Sequence, residues 1–79
     1  MKDVKLTFCE NIHLLRMKHH LTQAEMAKLL SISVRTICLL ENGIIPPRLS
    51  VSILYNIYDV FHIRPADMLS PLSLTDLEN

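Results

Sequence analysis

The sequence predicts an all-α domain of five short helices, and three observations carry that prediction. Apolar residues recur at helical rather than strand spacing. Serine, threonine and glycine stand where helix ends need caps. One glycine, four prolines and no tryptophan in 79 residues leave little of the turn chemistry that a small all-β fold requires. A hydrophobic content of 49% with 20% charged residues supplies enough apolar surface to offset chain entropy, which excludes a disordered segment. At 9.1 kDa there is room for one modest core, so a multidomain enzyme with a deep cleft is excluded as well. Residues 1–70 are expected to form the domain, and 71–79 a tail that is either frayed or ordered by a partner.

The first helix is expected over residues 6–19, where Phe8, Ile12 and Leu15 form an i, i+4, i+7 stripe that Leu14 and Met17 widen. Thr22-Gln23-Ala24-Glu25 fits a capping box, Thr22 serving the amide three residues on while Glu25 reaches back. A second helix follows over about 23–30, burying Met26, Ala27 and Leu30. Ser33 caps a third helix over 34–41 whose inward positions are Ile37 and Leu40. Asn42-Gly43 stops it, because glycine takes the left-handed conformation a helix end needs. Pro46 and Pro47 make residues 44–48 a loop. Ser50 caps a fourth helix reaching Phe61, with Leu54, Ile57, Tyr58 and Phe61 on one face. Pro65 opens a short fifth helix through Leu69.

Cys9 and Cys38 are the two cysteines and no CxxC is present, which points to a reducing, cytoplasmic setting. No apolar stretch follows the first charged residues, so no secretory signal is expected, and the apolar runs are too short for a membrane span. The formal net charge is zero, but its distribution is uneven. Between residues 11 and 48, Arg16, Lys18, Lys28, Arg35 and Arg48 face only Glu25 and Glu41. From 49 onward Arg64 stands against Asp59, Asp67, Asp76 and Glu78. The middle is basic and the C-terminal part acidic, the polarity of a domain with one anion-facing side.

Two short helices joined across residues 30–34 meet the requirements of a helix-turn-helix, in which the first helix crosses the phosphate backbone and the second enters the major groove. Ala27 is the small residue where the helices approach, Ile32 plugs the turn, and Ile37 and Leu40 tie the second helix down while its other face stays outward. The chain here resembles the Cro/C1-type helix-turn-helix, or xenobiotic-response-element, regulators. The residues that carry the resemblance are Leu21-Thr22-Gln23-Ala24-Glu25-Met26-Ala27-Lys28-Leu29-Leu30, then Ser33-Val34-Arg35-Thr36-Ile37, then Glu41-Asn42-Gly43. Ile63-Arg64-Pro65-Ala66-Asp67-Met68-Leu69 is similar to the family's closing helix, so the resemblance spans about residues 8–69. It implies a lambda-repressor-like five-helix DNA-binding domain, usually a symmetric dimer on an operator. It further implies that Gln23 contacts phosphate beside a helix N-terminus. Val34, Arg35, Cys38 and Leu39 are then the base-reading positions, with Thr36 reaching a phosphate at the helix entrance. Asn42, Gly43 and Arg48 fall in a second backbone clamp. Ser31 departs from the pattern, standing where family members often carry glycine because positive φ is common there.

The reading face is apolar for its task. Arg35 alone offers the paired donors suited to guanine, while Val34 and Leu39 suit thymine methyls and Cys38 is a weak hydrogen-bonding group. Each residue also has a plainer role: Arg35 as a solvated charge, Cys38 as a free thiol rather than a redox switch, Lys18 and Lys28 as surface charges. His13, His19, His20 and His62 lack ligand spacing and are expected at the surface, so neither metal nor cofactor is anticipated. Cys9, Met17, Met26 and Met68 are expected core fillers. Ile44, Ile45, Val51 and Tyr55 exceed what one core needs and suggest a homodimer seam, the alternative being scattered surface apolars. Leu72, Leu74 and Leu77 either add to that seam or are loose. No nucleophile–base constellation or phosphate-cradling loop is present, so an enzyme is not expected. The functional expectation is a cytoplasmic, bacterial or phage, repressor-type regulator of a double-stranded DNA operator. The competing expectation is an interaction module for a protein partner, antitoxin-like or directed at a phage factor, that uses the same apolar face.

Overall fold

The computed structural model describes residues 3–72. Five helices follow in order: α1 Val4–Lys18, α2 Gln23–Leu30, α3 Val34–Glu41, α4 Ser52–Phe61 and α5 Pro65–Met68. Helix α2 packs on α3 and α4, α1 on α3 and α5, and α4 on α5. Among the described residues there is no strand, and no helix is long and apolar enough to cross a membrane.

The starts of the helices follow local chemistry. Asp3 caps α1, its carboxylate accepting from the Lys5 amide at 2.8 Å. The capping box at α2 is complete: the Glu25 amide donates to Thr22 Oγ1 at 3.1 Å, and the Thr22 amide donates to Glu25 Oε1 at 2.9 Å. Ser33 Oγ accepts from the Thr36 amide at 3.1 Å to open α3. Helix α4 begins at Ser52 after an uncapped Val51, and the expected cap Ser50 instead accepts from the Ser52 amide in the preceding turn.

The helix ends are more alike than the sequence suggests. Past α1, α2 and α3 the chain turns through a left-handed residue, and two amides reach back to the last-turn carbonyls. His20 donates to Met17 and Leu21 to Arg16, Ser31 to Lys28 and Ile32 to Ala27, Gly43 to Leu40 and Ile44 to Leu39. Helix α4 ends through a fourth left-handed residue, His62, donating to the Tyr58 carbonyl at 2.8 Å. Only one of these four positions is glycine.

The core gathers Phe8, Cys9, Ile12 and Leu15 from α1, Met26, Ala27 and Leu30 from α2, Ile37 and Leu40 from α3, Ile53 and Ile57 from α4, and Met68 from α5. Two expectations fail. Leu14 and Met17 do not widen the buried stripe of α1: Met17, expected as a core filler, is 54% exposed, because α1 enters the core through Phe8, Ile12 and Leu15. Tyr58 is exposed and Ile53 takes the buried place, since α4 meets α2 and α5 through the Ile53–Ile57 line, with Leu54 and Phe61 half-buried at its margin. The buried side-chain amide of Asn11 donates to the carbonyls of Met68 and Ser70 at 2.8 Å each and accepts from the Leu72 amide at 3.3 Å, stitching the segment after α5 onto α1. Leu72 packs half-buried against the core. Leu74 and Leu77 lie outside the described residues.

Candidate nucleic-acid interface

Helix α3 is amphipathic in the sense the resemblance requires. Ile37 and Leu40 are fully buried, whereas Val34 and Arg35 are exposed and Thr36, Cys38 and Leu39 are half-buried. The turn that sets α3 against α2 is made by Ser31 at φ 58°, ψ 40°. Serine thus takes the conformation that glycine adopts without strain, and Ile32 packs against the core as the plug of the turn.

The phosphate-side candidates sit at helix ends. Gln23 opens α2, whose first-turn amides point out of the helix N-terminus beyond those the capping box consumes. The Thr36 hydroxyl lies 2.9 Å from Ser33 Oγ at the entrance to α3. Asn42 donates through Nδ2 to the Cys38 carbonyl at 2.8 Å, and Gly43 follows at φ 81°. Arg48 is exposed in the loop before α4. Among the described residues neither the Arg35 nor the Arg48 side chain makes a hydrogen bond or ion pair. The structure does join Gln23 and Cys38, the thiol donating to Oε1 across 3.0 Å. Of the apolar seam candidates, Val51 is 71% exposed, Tyr55 63% and Ile44 about half, while Ile45 packs against the core.

The main feature that sequence reasoning missed lies behind α3. Glu41, its last residue, accepts from Arg16 Nε at 2.6 Å and Nη2 at 2.8 Å, and its Oε1 lies 2.7 Å from His13 Nδ1. Arg16 also donates to the Leu21 carbonyl at 3.0 Å. Burial pushes the Glu41 carboxyl up, but the hydrogen bonds and charges of Arg16 and His13 outweigh it and hold the group below its ordinary range. The same hydrogen bond raises the Arg16 guanidinium. Arg16 is therefore neutralised internally and does not belong to the anion-facing charge counted from the sequence. One signal pointed this way: a carboxylate at a helix C-terminus opposes the macrodipole and needs a cation. The clamp fixes the far end of α3 to α1, so the helix is held at its N-terminus by the turn and at its C-terminus by an ion pair. Asn56 of α4 completes the frame, donating to the Leu30 carbonyl at 2.9 Å.

No curated protein and no solved structure matches the chain. A family model described as helix-turn-helix matches residues 12–65, most of the domain and all of the α2–turn–α3 unit. With that match on a five-helix frame whose third helix is anchored on one face and open on the other, the chain belongs to the Cro/C1-type helix-turn-helix family of DNA-binding transcription regulators.

Proposed function

We propose that this regulator is a repressor that binds a two-fold-symmetric operator as a homodimer, in the cytoplasm of a bacterium or as a phage product. The observation that carries the proposal is the outward face of α3, where the Arg35 side chain, unpaired among the described residues, stands between Val34 and Leu39 while Ile37 and Leu40 lock the opposite face into the core. Arg35 donates two hydrogen bonds to a guanine edge, and Val34 and Leu39 pack on thymine methyls. Gln23, Thr36, Asn42, Gly43 and Arg48 fix the register through phosphates. Two domains then need a seam to hold half-sites about one DNA turn apart. Exposed Val51, Tyr55 and Ile44, with Ile45 beside them, supply apolar area for it.

The test is selection from a random-duplex pool by the purified protein, followed by anisotropy titration of the winner at two salt concentrations. An enriched palindrome whose affinity falls steeply with salt is the expected outcome, because cationic phosphate contacts release counterions. Absence of enrichment, with little binding even at low salt, would overturn the proposal. It would shift the function of the Val34–Leu39 face to a protein partner, whose apolar contact would be insensitive to salt.

A further inference from the structure

Gln23 and Cys38 come from different helices and lie 15 residues apart, yet their side chains meet: Cys38 Sγ is 3.0 Å from Gln23 Oε1, with both residues half-buried. A thiol offers one weak donor and a weakly accepting sulfur, whereas a carboxamide offers one acceptor oxygen and two N–H donors; here the thiol donates, to Oε1. The last torsion of a glutamine is broad and roughly two-fold, so a free side chain presents oxygen outward about as readily as nitrogen. A phosphate accepts and does not donate, so only the nitrogen-outward orientation binds it. With the thiol hydrogen placed on Oε1, both Nε2 hydrogens remain available for an external acceptor.

We propose that Cys38 is a positioning residue for DNA binding, its thiol holding the Gln23 carboxamide with Nε2 turned toward the phosphate. This rests on the phosphate-contacting role proposed for Gln23. It also gives Cys38 a task other than the base reading expected from the sequence, since its thiol is directed at α2. The support is firm on the α3 side. Ile37, the residue before Cys38, is fully buried, and Glu41 three residues later is clamped to Arg16. The Cys38 carbonyl is in turn held by Asn42 Nδ2 at 2.8 Å. Correct seating of α3 therefore presets the phosphate contact made by α2, which couples the two halves of the helix-turn-helix.

The test uses the full chain and a fluorescently labelled duplex enriched from a random pool by the wild-type protein. Cys38→Ala, Cys38→Ser, Gln23→Ala and the Gln23→Ala/Cys38→Ala pair are compared by anisotropy, each also checked for an unchanged melting temperature. Cys38→Ala is expected to weaken binding about threefold per half-site, hence about tenfold on a two-fold-symmetric duplex, by the same factor for every sequence variant of the duplex. Cys38→Ser, which keeps a donor, restores most of the loss, and Cys38→Ala adds nothing once Gln23 is alanine. A change of preference at one base position would make Cys38 a base reader and overturn the proposal, as would additivity with Gln23→Ala or a serine variant no better than alanine. If the wild-type chain binds no duplex even at low salt, the DNA role fails. The contact itself is then read in the free protein, where the Gln23 side-chain amide resonances move toward random-coil values in Cys38→Ala only if the thiol holds them.

Discussion

Replacing Arg16 by methionine keeps most of the apolar stem and deletes the guanidinium that Glu41 faces. Glu41's side chain is 7% exposed and Arg16's 16%, so the carboxylate left behind has little water to turn to and keeps the half-exposed His13, 2.7 Å away, as its remaining partner. Removing one partner of a buried pair costs about 3–5 kcal/mol, and the residual solvent on Arg16 brings the expectation to about 2–3 kcal/mol. For a domain of this size that lowers Tm by roughly 10–20 °C. Far-UV circular dichroism melts of Arg16→Met, Glu41→Gln and the double variant give the coupling directly. The pH dependence supplies an independent check. Because Glu41 titrates below its ordinary range in the folded state, its stabilisation is full above the unfolded-state carboxylate range and is lost as pH falls through the lowered folded value. The wild-type and Arg16→Met melting curves should therefore differ most near neutrality and converge in acid. A Tm change under about 3 °C at neutral pH, together with additive single variants, would refute the claim that this pair anchors α3.

Four further outcomes follow from the same geometry. Ser31→Gly should raise stability by about 0.5–1 kcal/mol in urea titration, because φ 58° strains serine and not glycine. Gly43→Ala should cost about 1–2 kcal/mol through its φ of 81°, since the new Cβ would sit at an ordinary 3.4 Å from Leu6 Cδ2 and the penalty is backbone alone. Asn11→Ala should cost about 2–3 kcal/mol and speed amide exchange around α5 and Leu72 while sparing α2 and α3, as it deletes three hydrogen bonds to the C-terminal segment. Arg35→Ala should cost about 1–3 kcal/mol of operator binding and relax preference at one base position, whereas Gln23→Ala or Arg48→Ala weakens all sequences more evenly. Unchanged affinity and preference in Arg35→Ala would mean that α3 is not the reading helix.

Residues whose partners lie within one turn were legible from the chain. The Thr22–Glu25 box, the Ser33 cap and the inward Ile37 and Leu40 fix α2 and α3 at the bounds expected, because these interactions close over three or four residues. The resemblance supplied the site candidates: Gln23 on α2, Val34, Arg35, Thr36, Cys38 and Leu39 on α3, and Asn42, Gly43 and Arg48 beyond its end. Helix ends were less so. Glycine marked one left-handed terminus, yet His20, Ser31 and His62 adopt the same conformation, since tertiary packing and two returning amides outweigh the strain on a side chain. Tyr58 shows the limit of periodicity: a helix with apolar residues on most of its surface does not say which stripe its neighbours will cover.

By itself the sequence determined the fold class, the two capped helices at the centre of the domain, and the family whose pattern they share. The tertiary structure alone decided which polar groups spend their chemistry internally. Arg16 counted toward the basic, anion-facing charge until Glu41 met it from 25 residues away, while the Cys38 contact with Gln23 and the Asn11 bonds to the segment after α5 join residues that the chain order keeps apart. The physical reason is the range of the interactions. Caps and amphipathic stripes are written in neighbouring residues, whereas a hydrogen bond between distant segments exists only once packing has brought donor and acceptor within about 3 Å.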